Sequence, residues 1–275
     1  MKRIIFVLFA VLLIAAIIVA NHYVPFQVGS MVVYTGIVIL GLGLLSVIKP
    51  FRFIHIKTRK SSLLLAVAGL LILMVGMILP APTIRSTGSH QRIDDFMPEY
   101  QFYEHHEVAI KAPMEKVAAA IKEVSFADIP AAIWLMRARS LGSGPSFEPA
   151  IVSTRPILEL LSQPGTGFLT LDGNDPVEYV GGMVGRPWSN DQPPAISTPD
   201  EFNAFRLAGN IKVAFNMHAV DMGDGTVLLT TETRIIGNDA SARKTFARYW
   251  RVIYPGSSII RRVWLDAIAD RATGG

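Results

Sequence analysis

Three apolar runs, residues 4–20, about 28–48 and 63–79, hold no charged side chain and fill most of the first 80 positions of a 275-residue chain. Each is near the length that carries a helix through about 30 Å of hydrocarbon at about 1.5 Å per residue. The pattern predicts three transmembrane helices and a membrane domain over residues 1–80. A hydrophobic content of 51% is too high for one ordinary soluble domain and agrees with such a division. The first run also admits a cleaved signal peptide, because Met1, Lys2 and Arg3 make a basic start and Ala20 stands where a cut could fall. Its length, and an Ile18 three places before that cut, favour a retained span.

Charge is divided as unevenly as hydrophobicity. Of 26 Lys and Arg, seven lie in residues 1–80, where there is no Asp or Glu, so the remaining 19 face all 22 acidic residues. The basic pI of about 9.4 therefore belongs to the membrane part and is no sign of nucleic-acid binding. Five of those seven, Lys49, Arg52, Lys57, Arg59 and Lys60, fall between the second and third runs, and the other two precede the first. The positive-inside bias then predicts a multi-pass protein of the cell membrane with a cytoplasmic N-terminus and an extracytoplasmic C-terminal domain. No cysteine is present, which excludes disulfides and thiolate metal sites. The spans contain no GxxxG pattern from which to argue helix pairing.

Residues 81–98 are polar, carry proline near both ends and show no apolar period, so they read as a linker to a domain over 99–275. That domain begins with an alternating strand over 103–112, with Val108 and Ile110 on one face. A helix follows Pro113 with the stripe Val117, Ala120, Ile121 and Val124, and Ser125 with Asp128 resembles a capping box for a second helix. Strands are expected over 167–174 and 176–185, then a short helix capped by Thr198, Pro199 and Glu201. A further short helix is expected around 157–161.

The clearest signal starts at Asn210. Ile211, Val213, Phe215, Met217 and Ala219 alternate with polar residues, and DMGDG is a turn leading to TVLLTTETRII. Pairing apolar with apolar sets Val213 opposite Thr233, Phe215 opposite Thr231 and Met217 opposite Leu229, with Lys212, Asn216, Glu232 and Arg234 on the other face. A last helix starts at Asn238 or Asp239, carries Phe246, Tyr249 and Trp250, and is expected to be kinked at Pro255-Gly256-Ser257. The fold class is α+β.

A strand, two helices, antiparallel strands and one long C-terminal helix is the order of the helix-grip fold. EHHEVAIKAPMEKVAAAIKEV (104–124) resembles the opening strand and helix of the SRPBCC superfamily, the START-related and polyketide-cyclase-like proteins. TTETRIIGNDASARKTFARYWRVIYPGSSIIRR (230–262) is similar to their closing strand and helix, and GGMVGRPW (181–188) resembles their middle strands. The resemblance covers about residues 100–272. It implies a curved sheet around the last helix and a cavity for an apolar small molecule or lipid, in which some members catalyse cyclisation or hydrolysis. No catalytic motif of the family is matched, and no cofactor is implied.

Candidate site residues follow from that architecture. Phe215, Met217, Phe246 and Trp250 either line a cavity or fill a core, Phe202 lies on the short helix, and Trp188 is either a lid or a satellite core aromatic. Thr231 and Thr233 are the polar groups on the apolar face. Glu178 and Glu232 are the candidate acids if the same pocket houses an enzyme. Glu232 and Arg234 point the same way and read best as an ion pair on the outer face, of little worth if exposed. His105 and His106 face opposite ways in a regular strand and so cannot chelate one ion. Arg243, Lys244, Arg248 and Arg251 make a basic side on the last helix, either solvated or near membrane lipids. Three readings stay open: a membrane-anchored binder of an apolar molecule, an enzyme using the same cavity, and a sensor or partner-binding module.

Overall fold

The computed structural model of the protein describes residues 27–50, 56, 58–87, 91–140, 154–163, 165–189 and 191–274. The apolar run at 4–20 lies outside the described residues. The chain divides into two compact units, residues 1–80 with 247–258, and residues 81–246 with 259–275.

In the first unit, α1 (Val28–Ile48) and α2 (Arg59–Ile78) are the two described helices long and apolar enough to cross a membrane. They meet through small residues. A Cβ added at Gly36 would stand 2.5 Å from the Leu73 backbone nitrogen, one at Gly43 2.4 Å from that of Ala66, and one at Gly69 2.3 Å from that of Leu40. The glycines recur seven apart, Gly36 with Gly43 and Gly69 with Gly76, a spacing that keeps them on one seam although no GxxxG is present. Leu44, Leu45, Leu64, Leu71 and Ile78 point outward and are exposed, the reverse of a water-soluble helix pair. Residues 247–258 add the Trp250 indole, which donates to Gln27 Oε1 at 3.0 Å, and Arg251, which donates to the Leu79 carbonyl.

In the second unit, β1 (Ile84–Arg85) pairs with β2 (Glu99–Tyr100), and a helical turn, α3 (Ile93–Phe96), lies between them. The segment expected to be a linker is thus folded into the domain. β3 (Phe102–Ile110), α4 (Met114–Glu123), a 3-10 turn at Phe126–Asp128 with the expected Ser125–Asp128 capping box, α5 (Pro130–Ser140) and α6 (Ile157–Leu161) follow. β4 (Phe168–Asp172), β5 (Glu178–Gly185), α7 (Pro199–Ala204), β6 (Ile211–Asp221), β7 (Val227–Gly237) and α8 (Ala240–Thr273) complete the chain.

One antiparallel sheet runs in the order β3-β7-β6-β5-β4. The β6-β7 register is Val213 with Ile235, Phe215 with Thr233 and Ala219 with Leu229, two residues away from the expected pairing. Side chains alternate with a period of two, so a slip of two leaves every residue on its expected face. The cause lies in the loop. Asp221 accepts from the Gly223 amide and Asp224 from the Thr226 amide, two side-chain turns at positive-φ glycines that let both strands run longer.

Two apolar layers enclose the sheet. On the inner face Phe215, Met217, Leu229 and Ile110 pack with α4, α6 and the end of α8 through Trp264, Leu265 and Ile268. On the outer face Val180, Val184, Leu169, Leu171 and Ala214 pack with Ile93, Met97 and Phe202. α8 is one helix of 34 residues with Pro255 inside it, long as expected. Asp239 caps it, accepting from the Ala242 amide at 2.8 Å. Gly237 is required at its start, since a Cβ there would stand 2.7 Å from the Arg243 backbone nitrogen.

Candidate functional site

The two faces of the sheet treat polar groups differently, and the contrast locates the site. On the outer face, Arg234 is 2% exposed and donates to Glu232, to Asp94 Oδ1 at 2.6 Å and to the Met97 carbonyl at 2.8 Å. Burial alone would lower its pKa, but the bonds to Glu232 and Asp94 outweigh it and hold the guanidinium above its ordinary value. The outer-face position of this pair is as expected. Its exposure is not, because the folded 91–97 segment covers it.

Glu178 is on the same outer face and is also buried. It accepts from the Arg92 amide at 2.7 Å, the Ile93 amide at 3.3 Å and Asn216 Nδ2 at 2.7 Å. Asn216 Oδ1 in turn takes the Glu232 amide at 2.8 Å, where the β6-β7 ladder lacks its regular bonds. Both candidate acids are therefore bound into structure, Glu178 by three donors and Glu232 by Arg234, and lie on the face away from Phe215. Phe202 belongs here too, under the Lys212 ammonium at 4.5 Å, and is not a wall of the inner face.

On the inner face a single cross-strand row reads Glu104, Thr233, Phe215, Gly181, Thr170 from β3 to β4. Gly181 is there because the Phe215 ring lies over it; an added Cβ would come within 2.5 Å of that ring. Next to this row, His106 Nε2 lies 3.0 Å from Glu104 Oε1, with both side chains buried. His105 points the other way and reaches Glu107 at 3.6 Å, so the two histidines do not share a ligand. Among the described residues no cluster of three or more His, Asp or Glu could hold a metal.

α8 brings Arg261 to this row. Its guanidinium lies 4.9 Å from the Phe215 ring centre and 5.6 Å from that of Trp264. Burial lowers its pKa and the nearby Glu104 carboxylate opposes that fall. Among the described residues it makes neither a hydrogen bond nor an ion pair. Two further polar atoms here are buried without a partner, the Thr233 hydroxyl and the Trp264 indole Nε1. Thr231 differs, because its hydroxyl donates to the Asn216 carbonyl at 2.7 Å.

The expected lining residues divide accordingly. Phe215, Met217, Thr231 and Thr233 share the inner face, and Phe246 closes one end of it against Phe102 at 4.8 Å, with Trp188 6.1 Å away. Trp250 does not join them, since it belongs to the unit built on α1 and α2. Sequence reasoning weighed His106 only as a metal ligand and did not place Glu104, Arg261 or Trp264 in the site. The first two were within reach, because Glu104 and His106 share parity with Val108 and Ile110, already assigned to one face.

The chain matches no protein-family model, no curated protein and no solved structure.

Proposed function

We propose that the protein is a membrane-anchored binder of an apolar small molecule or lipid, held between the inner face of the sheet and the C-terminal part of α8. One observation carries the reading: on the apolar inner face the half-buried Arg261 guanidinium lies over Phe215 with no hydrogen-bond or ion-pair partner among the described residues, and the buried Thr233 hydroxyl and Trp264 Nε1 are unpartnered too. The resemblance of residues 104–124 and 230–262 to the SRPBCC superfamily supports a helix-grip arrangement, and the order of strands with one long closing helix agrees with it. Binding would draw on removal of apolar ligand surface from water, about 25 cal/mol per Å², while the few polar groups select orientation. The basic loop before α2 supports an extracytoplasmic location for the domain, and a C-terminal reporter that behaves as cytoplasmic would refute that topology.

The buried Glu104–His106 pair favours a second reading, an enzyme that moves a proton in the same place. It replaces Glu178 and Glu232 as the acid to consider.

The test is native mass spectrometry of the full-length protein from a neutral detergent, followed by organic extraction and identification of what is released. A stoichiometric apolar adduct is expected. Protein that carries none, and that also takes up no neutral dye such as Nile red, would overturn the proposal. An extracted compound that is converted on re-addition favours the enzyme.

A further inference from the structure

We propose that the ligand carries a single carboxylate head and that Arg261 is its anchor. The inference rests on the binding reading above and adds the chemical class. A guanidinium has five N–H donors in a planar fork, and this one reaches two aromatic faces but no acceptor among the described residues. Arg261 is half-buried, and a guanidinium so placed favours an oxygen anion that accepts two parallel N–H bonds. Trp264 Nε1, 3% exposed by residue, and the Thr233 hydroxyl, 4%, are two more unpartnered groups at the same place. Phe215 links the three: its ring lies under Arg261, it contacts Trp264 at 6.3 Å between ring centres, and it pairs across the ladder with Thr233.

Charge decides between a carboxylate and a more highly charged head. Glu104 is opposite Thr233 in the ladder and close enough to act on Arg261 through space, yet its carboxylate is held by His106 at 3.0 Å and forms no ion pair with Arg261. One cation, Arg261, therefore faces the row without a bonded carboxylate, and the Glu104 carboxylate lies beside it. A monoanion neutralises Arg261, whereas a phosphate monoester brings a second charge toward Glu104. The tail then has the apolar wall of Phe215, Val213 and Met183 to lie on, residues whose pairing across β6 and β5 puts them on the inner face.

The experiment uses full-length protein, delipidated in a neutral detergent and offered palmitic acid and hexadecanol at equal concentration, with 1:1 adducts counted by native mass spectrometry. Wild type is expected to retain the acid about 10-fold more tightly than the alcohol, the difference between a charge-assisted and a neutral hydrogen bond. Arg261→Met should abolish that preference, and Arg261→Lys should restore part of it. Arg262→Met is the control, since Arg262 is engaged by the Glu107 carbonyl and Asp266. Equal retention of acid and alcohol by wild type, or an acid preference that survives Arg261→Met in folded protein, would overturn the anchor while the binding reading stands. Retention of neither compound by wild type would sink both. The wild-type comparison decides the head group even if the Met variant fails to fold.

Discussion

The outer and inner faces of the one sheet both hold buried polar side chains, but one group on each face is handled differently. Outside, Glu178, Asn216, Glu232, Arg234 and Asp94 form a connected set in which each charge meets donors or acceptors at bonding distance. Inside, Arg261, Thr233 and Trp264 sit at one place without such bonds. A satisfied buried network fixes structure, whereas an unsatisfied one has a cost that structure alone does not explain. The difference separates residues that build the domain from residues that await something.

The sharpest way to break this comparison is to remove one arginine from each face. Arg234→Ala leaves Glu232 and Asp94 without their cation under the 91–97 segment, and should destabilise the protein by about 3–5 kcal/mol. Arg261→Met removes a charge that has no bonded partner and fills similar space, so it should change stability by less than about 1 kcal/mol or raise it. Denaturant unfolding of the full-length variants in a neutral detergent measures both. Equal losses would mean that Arg261 is structural after all.

Glu178→Gln comes next. The amide places an NH₂ against one of the donors from Arg92, Ile93 and Asn216, for an expected loss of about 2–3 kcal/mol without loss of ligand. Loss of bound compound at undiminished stability would return Glu178 to the list of functional groups.

Lys212, like the unpartnered His105 Nδ1, is an exception on the outer face and sharpens the rule. It is buried over Phe202 and among the described residues has only the Asn203 carbonyl at 3.5 Å as acceptor, so burial lowers its pKa to about 8. The unfolded lysine titrates near 10.4, so between these values the unfolded chain binds more protons and stability rises with pH. Below about pH 8 both states are charged and the full cost remains. Lys212→Met should therefore stabilise at pH 7 by about 1–2 kcal/mol, the charging cost less the lost cation–π contact, and flatten stability between pH 8 and 10. A variant that keeps the wild-type rise would show that another group causes it.

What was legible in the sequence tracks how local each signal is. Strand parity, the Thr198 and Ser125 capping boxes and the Asp239 cap depend on a few neighbouring residues, and all appear as read. The β6-β7 register was two residues off because Asp221 and Asp224 fold the DMGDG loop through side-chain turns that residue type alone does not count. The 81–98 segment looked like a linker because its apolar anchors, Ile93 and Met97, show no period; part of what holds it is Glu178, 85 positions from Ile93, accepting the Ile93 amide. Arg261 was invisible for a related reason. A basic residue between Ile260 and Trp264 reads as a helix's solvent side until the row that it faces is known. Likewise the heptad spacing of Gly36 and Gly43 carries the packing of α1 on α2 where a search for GxxxG finds nothing.

The smallest effect concerns how the helix that carries Arg261 is held at its other end. Asp239 accepts from the Ala242 amide and the Gly209 amide, and these backbone bonds, the first named being the larger cause, hold its pKa below the usual carboxylate range. A depressed folded pKa contributes stability that is complete above the unfolded value near 3.9 and is lost as pH falls through the folded one. Asp239→Asn keeps an acceptor for the Ala242 amide but cannot titrate, so acid unfolding of the variant should fall less steeply with pH below about 4 while stability at pH 7 drops only slightly. Circular dichroism of wild type and variant from pH 7 to pH 2 reads this directly. If the two acid limbs coincide, the Asp239 end of the helix contributes nothing to the steepness.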